Sequence, residues 1–264
     1  MTAISMTDFG ALPAVRIEGP DGAVAIVTLY GAHLVSWVTS DGQERIFCSA
    51  KSSLDGSRAI RGGVPVIFPQ FAARGNGMRH GFARVSTWRL GDNGDGFAEF
   101  TLTQAELAPG VAAAWPHAFS LTLRVEVLLD ELRFVMAVRN AGTAPFPFSA
   151  ALHSYFMIDR LAYTAIDGVQ EGEMLITDKY DHIYFGVERS IVLRSGMGAL
   201  RLDQQGFTDA VVWNPGAADS AALADMEGDE YQHFVCIEPA LIEPVTLEAG
   251  ATWTGRHQIN VVYA

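Results

Sequence analysis

Apolar and polar residues alternate along much of this chain with the period of two expected of half-buried strands. The alternation is clearest over residues 120–129 (SLTLRVEVLL) and 131–140 (ELRFVMAVRN), with Asp130-Glu131 between them predicting a tight hairpin. Similar short runs at 14–17, 22–29, 33–38, 45–48 and 97–104 predict further strands, divided by Gly-Pro-Asp-Gly and Tyr-Gly turns in the first part of the chain. A long apolar stretch follows at 146–158, then shorter ones at 174–176, 182–187, 191–193, 199–203, 210–213, 233–238 and 245–247, and a last long one at 252–262. Helical spacing is scarce: residues 220–226 (SAALADM) predict one short helix and 105–107 a single turn. Many short strands punctuated by glycine and proline predict an all-β fold, a large antiparallel sandwich. No linker, repeat or shift of composition divides the sequence, so residues 1–264 read as a single domain.

Composition supports a large core, with 49% hydrophobic and only 18% charged residues. The formal charge of −12 argues against general binding to nucleic acid or to an anionic membrane surface. Residues 1–15 lack the basic and apolar segments of a secretory leader, and no apolar run is long enough for a bilayer-spanning helix. A cytoplasmic monomer is the expectation. Cys48 and Cys236, far apart in strand-like runs, read as buried free thiols, although a disulfide between them is not excluded.

Against this acidic background, the stretch 61–88 (RGGVPVIFPQFAARGNGMRHGFARVSTW) concentrates arginines around an apolar hairpin. Arg61, Arg79 and Arg84 have the forked donors that suit phosphate oxygens, and the adjoining glycines permit close backbone approach to a ligand. Each arginine taken singly is more readily explained by a carboxylate partner; taken together, the cluster points to a local anion site. His153 lies in an apolar run (SAALHSYFMI), and Glu238 ends the run FVCIE, which otherwise has no charge. The plain readings are a hydrogen-bonded core histidine and a buried ion pair. Brought together from separate strands, the two would make an acid/base pair. Asp181 can bind a hydroxyl or cap a turn, Trp213 offers a flat face to a sugar ring, and the acidic run 225–230 reads as a solvated face. The seven histidines never fall at close metal-ligand spacing, so neither sequence pattern nor chemistry calls for a metal or organic cofactor. There is no GxSxG, Walker or dinucleotide-binding pattern.

Taken in order, RGGVPVIFPQF, RHGFARVSTW, LHSYF, DHIYF, VVWNP and CIEP resemble the hexose-6-phosphate mutarotases (glucose-6-phosphate 1-epimerases) of the aldose 1-epimerase, galactose mutarotase-like superfamily. The resemblance extends from about Tyr30 to Trp253. It implies a β-supersandwich, with His153 as general acid and Glu238 as general base. It further implies Arg61 and Arg84 as substrate- and phosphate-binding residues, Asp181 as a substrate ligand, and a sugar phosphate as the small-molecule partner. Arg79 stands where family members commonly have glutamine before the His80-Gly81 pair, and both Arg79 and His80 are expected at the substrate. Gly216 replaces a second tryptophan, and the 71–79 loop is short. Three rivals are a mutarotase of unphosphorylated sugars, a non-catalytic sugar-phosphate-binding regulator, and a glycoside hydrolase. The last normally requires two carboxylates.

Overall fold

The computed structural model describes residues 4–20 and 22–263, and the predicted antiparallel β-architecture is what forms. Four strands covering Ile4–Val38 form one sheet in sequence order, and nine form the largest, running from Met174–Leu175 at one edge to Arg89–Gly94 at the other. The third sheet orders Tyr180–Tyr184, Asp209–Asn214, Phe234–Leu247, Phe146–Leu152 and Val66–Ile67, with Tyr155–Met157 also paired to Phe234–Leu247. The predicted hairpin is present: Phe119–Leu128 and Glu131–Asn140 pair through ten residues, and their burial alternates as the sequence pattern requires. Val15 and Ile17 from the first sheet, Leu121 and Phe134 from the largest, and Phe148, Val235 and Ile237 from the third share one hydrophobic core. Among the described residues no helix is long and apolar enough to cross a membrane. Both cysteines are free thiols.

Several predicted boundaries are corrected. Residues 45–48 are not a regular strand; Ile46 bridges Phe156 and Cys48 bridges Gly62, one residue at a time toward different partners. The 146–158 run is split by His153 and Ser154 into Phe146–Leu152 and Tyr155–Met157. Conversely, 233–238 and 245–247 belong to one strand, Phe234–Leu247, despite Pro239 and Pro244. Its ladder to Phe146–Leu152 shifts register between Phe148 and Ala150, and the Asp209 carboxylate accepts the Ile242 N–H at 3.0 Å, so the irregularity leaves no buried donor unmet there. The short helix lies at Gly216–Ala222 rather than 220–226. Asn214 Oδ1 accepts from Gly216 N and Asp178 Oδ1 from Ala217 N, each at 2.9 Å, which seats the helix start earlier than hydrophobic spacing suggests. The acidic run after it is not a merely solvated face: Met226 is buried, Asp225 pairs with Arg61, Glu227 with Lys51, and Glu230 accepts from Ser49.

Candidate active site

The strand Phe234–Leu247 is buried on both faces over its first half. Val235 and Ile237 point into the main core, whereas Phe234 and Cys236 belong to a smaller cluster on the opposite face. With a period of two, Glu238 shares that second face. Cross-strand register sets Asp181, Trp213, Cys236 and Tyr155 in one row across four strands beside it. His153 sits where the neighbouring strand breaks; its N–H donates to Pro65 O at 3.0 Å, and Ser154 O accepts from Ile237 N at 3.2 Å. The break therefore fixes the histidine opposite Glu238, with Nε2 3.3 Å from Oε1.

His153, Tyr155, Asp181, Trp213 and Glu238 line a cleft of about 510 Å³, whose lining also includes Arg58, Arg61, Arg79, His80, Arg84 and Asp225. Every residue singled out from sequence as a site candidate, His153, Glu238, Arg61, Arg79, Arg84, Asp181 and His80, lines this one cleft. A larger cavity of about 620 Å³ lies on the other side of the 69–78 loop, lined by Phe82, Trp115 and Phe148, and has no carboxylate beside a histidine. Chemistry, not size, selects the smaller one.

His153 is clamped between aromatic neighbours: Tyr155 stacks on it at 4.9 Å and 12°, while Trp213 and His80 meet it edge-on at 5.8 and 5.7 Å. Among the described residues His153 Nδ1, His80 Nδ1 and Glu238 Oε2 are buried without a partner, which leaves hydrogen-bonding capacity for a polar ligand. Burial pushes the Glu238 carboxyl well above its ordinary range, reinforced by the Asp181 charge. Burial likewise lowers His153 well below its usual value, helped by the neighbouring His80, Arg84 and Arg61. His80 is lowered to about 3 by burial, then by Arg84 and Arg79. Both members of the His153–Glu238 pair thus resist charge, and one proton between them gives a neutral pair.

The loop 69–81 presents the cationic wall. Gln70 pins it, with Oε1 accepting from Gly77 N at 2.9 Å and Nε2 donating to Ala72 O at 3.1 Å. His80 takes a left-handed φ of +63°, and Gly81 at +69° lies so close to Phe68 O that a Cβ would stand 2.0 Å away. No side chain can occupy that position without moving the backbone.

The arginines are not equivalent. Arg61 is already matched: its Nη2 is 3.2 Å from Asp225 Oδ2, Nε donates to Oδ1 at 3.3 Å, and Nη1 donates to Tyr155 Oη at 3.1 Å. Arg84 has no ion pair among the described residues; Nη2 donates to Arg79 O at 3.0 Å and the buried Nε has no partner. Sequence reasoning missed Arg58, Tyr155 and Asp225 as cleft residues. Arg58 lies three positions before Arg61, but Asp225 comes from a separate part of the chain that only folding brings across.

The aldose 1-epimerase family profile matches residues 13–260. This chain belongs to the aldose 1-epimerase family. A relative from Cenchrus ciliaris, named "Putative glucose-6-phosphate 1-epimerase", is 30% identical over 283 residues, covering 95% of this chain and 85% of its own. One of the same name from Escherichia coli K12 is 30% identical over 240 residues, covering 82% and 79%. A solved "putative mutarotase" from Salmonella typhimurium superposes with a TM-score of 0.88 at 26% identity, over 99% of this chain and 94% of the other. The predicted mutarotase-like fold is thereby established for this aldose 1-epimerase family member.

Proposed function

We propose that this aldose 1-epimerase acts on an aldohexose 6-phosphate, with glucose 6-phosphate the first candidate, and that His153 and Glu238 are its acid and base. The carrying observation is one cleft that holds a buried His153–Glu238 pair at 3.3 Å together with an arginine, Arg84, that has no carboxylate partner among the described residues. Family relatives named as glucose-6-phosphate 1-epimerases support the substrate class.

In the reaction Glu238 takes the proton from the anomeric hydroxyl, and its oxygen becomes the carbonyl oxygen. The C1–O5 bond breaks, its electron pair passes to O5, and O5 receives the His153 proton. Rotation about C1–C2 turns the other carbonyl face toward O5. His153 then recovers the O5 proton as O5 re-forms its bond to C1, and Glu238 returns a proton to the former carbonyl oxygen. No net electron is gained or lost, and the leaving oxygen stays tethered through the sugar. Each proton transfer contributes about 10²–10⁴-fold. Trp213 offers a face to the ring, Asp181 a hydroxyl partner, and Arg84 with Arg79 holds the phosphate, positioning C1 through remote binding energy.

A regulator that merely binds sugar phosphates has no need of an uncompensated acid/base pair, and a glycoside hydrolase works with two carboxylates, whereas here the partner of Glu238 at 3.3 Å is a histidine and Asp225 is engaged by Arg61. The deciding experiment is anomer exchange by magnetisation-transfer NMR on glucose 6-phosphate and on glucose. Acceleration that favours the phosphosugar, and that falls about 10²–10⁴-fold in Glu238→Gln, is expected. Equal acceleration of both sugars would remove the phosphate reading, and undiminished activity in Glu238→Gln would remove the assigned base.

A further inference from the structure

We propose that a free tetrahedral oxyanion, bound at Arg84 and Arg79, switches this site on for unphosphorylated aldohexoses, giving the protein a second, anion-dependent activity. The inference rests on the phosphosugar reading above and asks what the phosphate does besides anchoring the sugar.

The cleft lining holds two chemically distinct sets of side chains. One is Glu238, His153 and Trp213, which supply the proton-transfer groups and an aromatic face. The other is cationic, and its charges are unevenly satisfied. Arg61 spends its charge on Asp225, with both Nε and Nη2 engaged by that carboxylate. Arg84 is half-buried, has no ion pair among the described residues, and keeps a buried Nε–H with nothing to donate to. Arg79 is exposed, and its backbone carbonyl orients Arg84 at 3.0 Å. A buried guanidinium without a counter-ion is costly, and a dianion placed against it supplies what the fold omits.

The same unmatched charge works against catalysis. His153 must carry a proton to deliver it to the ring oxygen, yet it is buried and faced by His80, Arg84 and Arg61. Of these, His80 is itself held neutral, and Arg61 is offset by Asp225. Arg84 is therefore the charge whose cancellation changes the balance. Seating a dianion there offsets the charge that opposes a proton on His153 and so shifts the shared proton from Glu238 to the imidazole, the form the reaction starts from. In a phosphosugar the anion arrives attached to the substrate. The covalent link contributes positioning, but the electrostatic effect depends only on where the anion sits. An anion not bonded to the sugar delivers that effect to glucose as well. The step transfers protons only, and the oxyanion is neither consumed nor altered.

The test is anomer exchange of glucose by magnetisation-transfer NMR with the full chain, as sodium sulfate is raised at ionic strength held constant with sodium chloride. Sulfate is the probe because it is too weak a base to catalyse mutarotation in free solution, unlike phosphate. Saturable, protein-dependent acceleration of about tenfold is expected, in the usual range for coupling between two ligands. Sulfate should at the same time slow exchange of glucose 6-phosphate, because the two compete for the same arginines. Opposite signs for the two sugars on one protein are the signature. Arg84→Ala should lose the activation, and the exposed Arg79→Ala, a milder change to the fold, should raise the sulfate concentration needed for half the effect. Glucose exchange that is indifferent to sulfate, while glucose 6-phosphate is accelerated, would overturn the inference and leave the phosphosugar reading standing. Failure to accelerate glucose 6-phosphate at all would overturn both.

Discussion

Acidification should destabilise this protein through two histidines that take no part in the cleft's chemistry. His257, on the strand Thr252–Val262, is buried against Phe134, with its ring 6.3 Å from and nearly parallel to the phenyl. Its Nδ1–H donates to the Asp203 carbonyl at 3.1 Å, and Nε2 is buried without a partner. A second proton would place a charged N–H against apolar atoms. Burial accordingly lowers the group to about 4, the Asp203 carbonyl only partly opposing it. The unfolded chain takes up this proton near pH 6.5, so the stabilising difference is full above that value and is lost as pH falls toward 4. At pH 5 the folded state is about 2 kcal/mol worse off relative to the unfolded state than at neutral pH, from RT ln[(1 + 10^1.5)/(1 + 10^−1)]. His33 is built the same way, with Nε2–H donating to Gly62 O at 2.8 Å, Nδ1 orphaned, and its proton affinity lowered to about 4 by burial. Together they remove about 4 kcal/mol, a large part of a typical total stability of about 5–15 kcal/mol. Urea unfolding followed by tryptophan fluorescence at pH 7.5 and 5.0 measures this. His257→Asn keeps a donor near Nδ1 for the Asp203 carbonyl but cannot titrate. Its loss of stability between the two pH values should be smaller than that of the parent by about 2 kcal/mol. An equal loss in both proteins would refute the reasoning, because the comparison isolates His257 from the other buried histidines.

Gly81→Ala should lower stability by about 2–4 kcal/mol in thermal unfolding, because φ is +69° and the added methyl meets Phe68 O at 2.0 Å; a neutral substitution would mean the loop moves freely. Asp225→Asn should release Arg61 from its carboxylate and lower KM for glucose 6-phosphate by about fivefold, whereas a raised KM would show that Asp225 serves to aim Arg61. Burial pushes the Cys48 thiol up to about 12 and Cys236 well above its ordinary value. Neither thiol should therefore react with a disulfide reagent at pH 8 until the chain is unfolded, and rapid native-state labelling would contradict that burial.

The chain by itself determined the strand content, because alternation with period two is local and each face of a strand carries its own burial. It also determined which residue types stand out against their surroundings. A carboxylate ending FVCIE, a histidine inside SAALHSYF, and arginines gathered in an acidic protein are anomalies visible without coordinates. The structure brings Glu238, His153, Arg61, Arg79 and Arg84 to one cleft, together with His80 and Asp181. Tertiary structure decided what distance along the sequence conceals. That His153 occupies a break between two strands, and so meets Glu238 at 3.3 Å, follows from hydrogen bonds to Pro65 and Ile237, neither of which is a sequence neighbour. That Phe234–Leu247 continues through two prolines depends on a shifted register and a side-chain acceptor from Asp209. Most consequential is the sorting of the arginines: nothing local distinguishes Arg61 from Arg84, and only the folded chain carries Asp225 to the first and leaves the second without a counter-charge among the described residues. Local patterning sets which groups are unusual, while their charge balance is a long-range property that exists only once the sheets have packed.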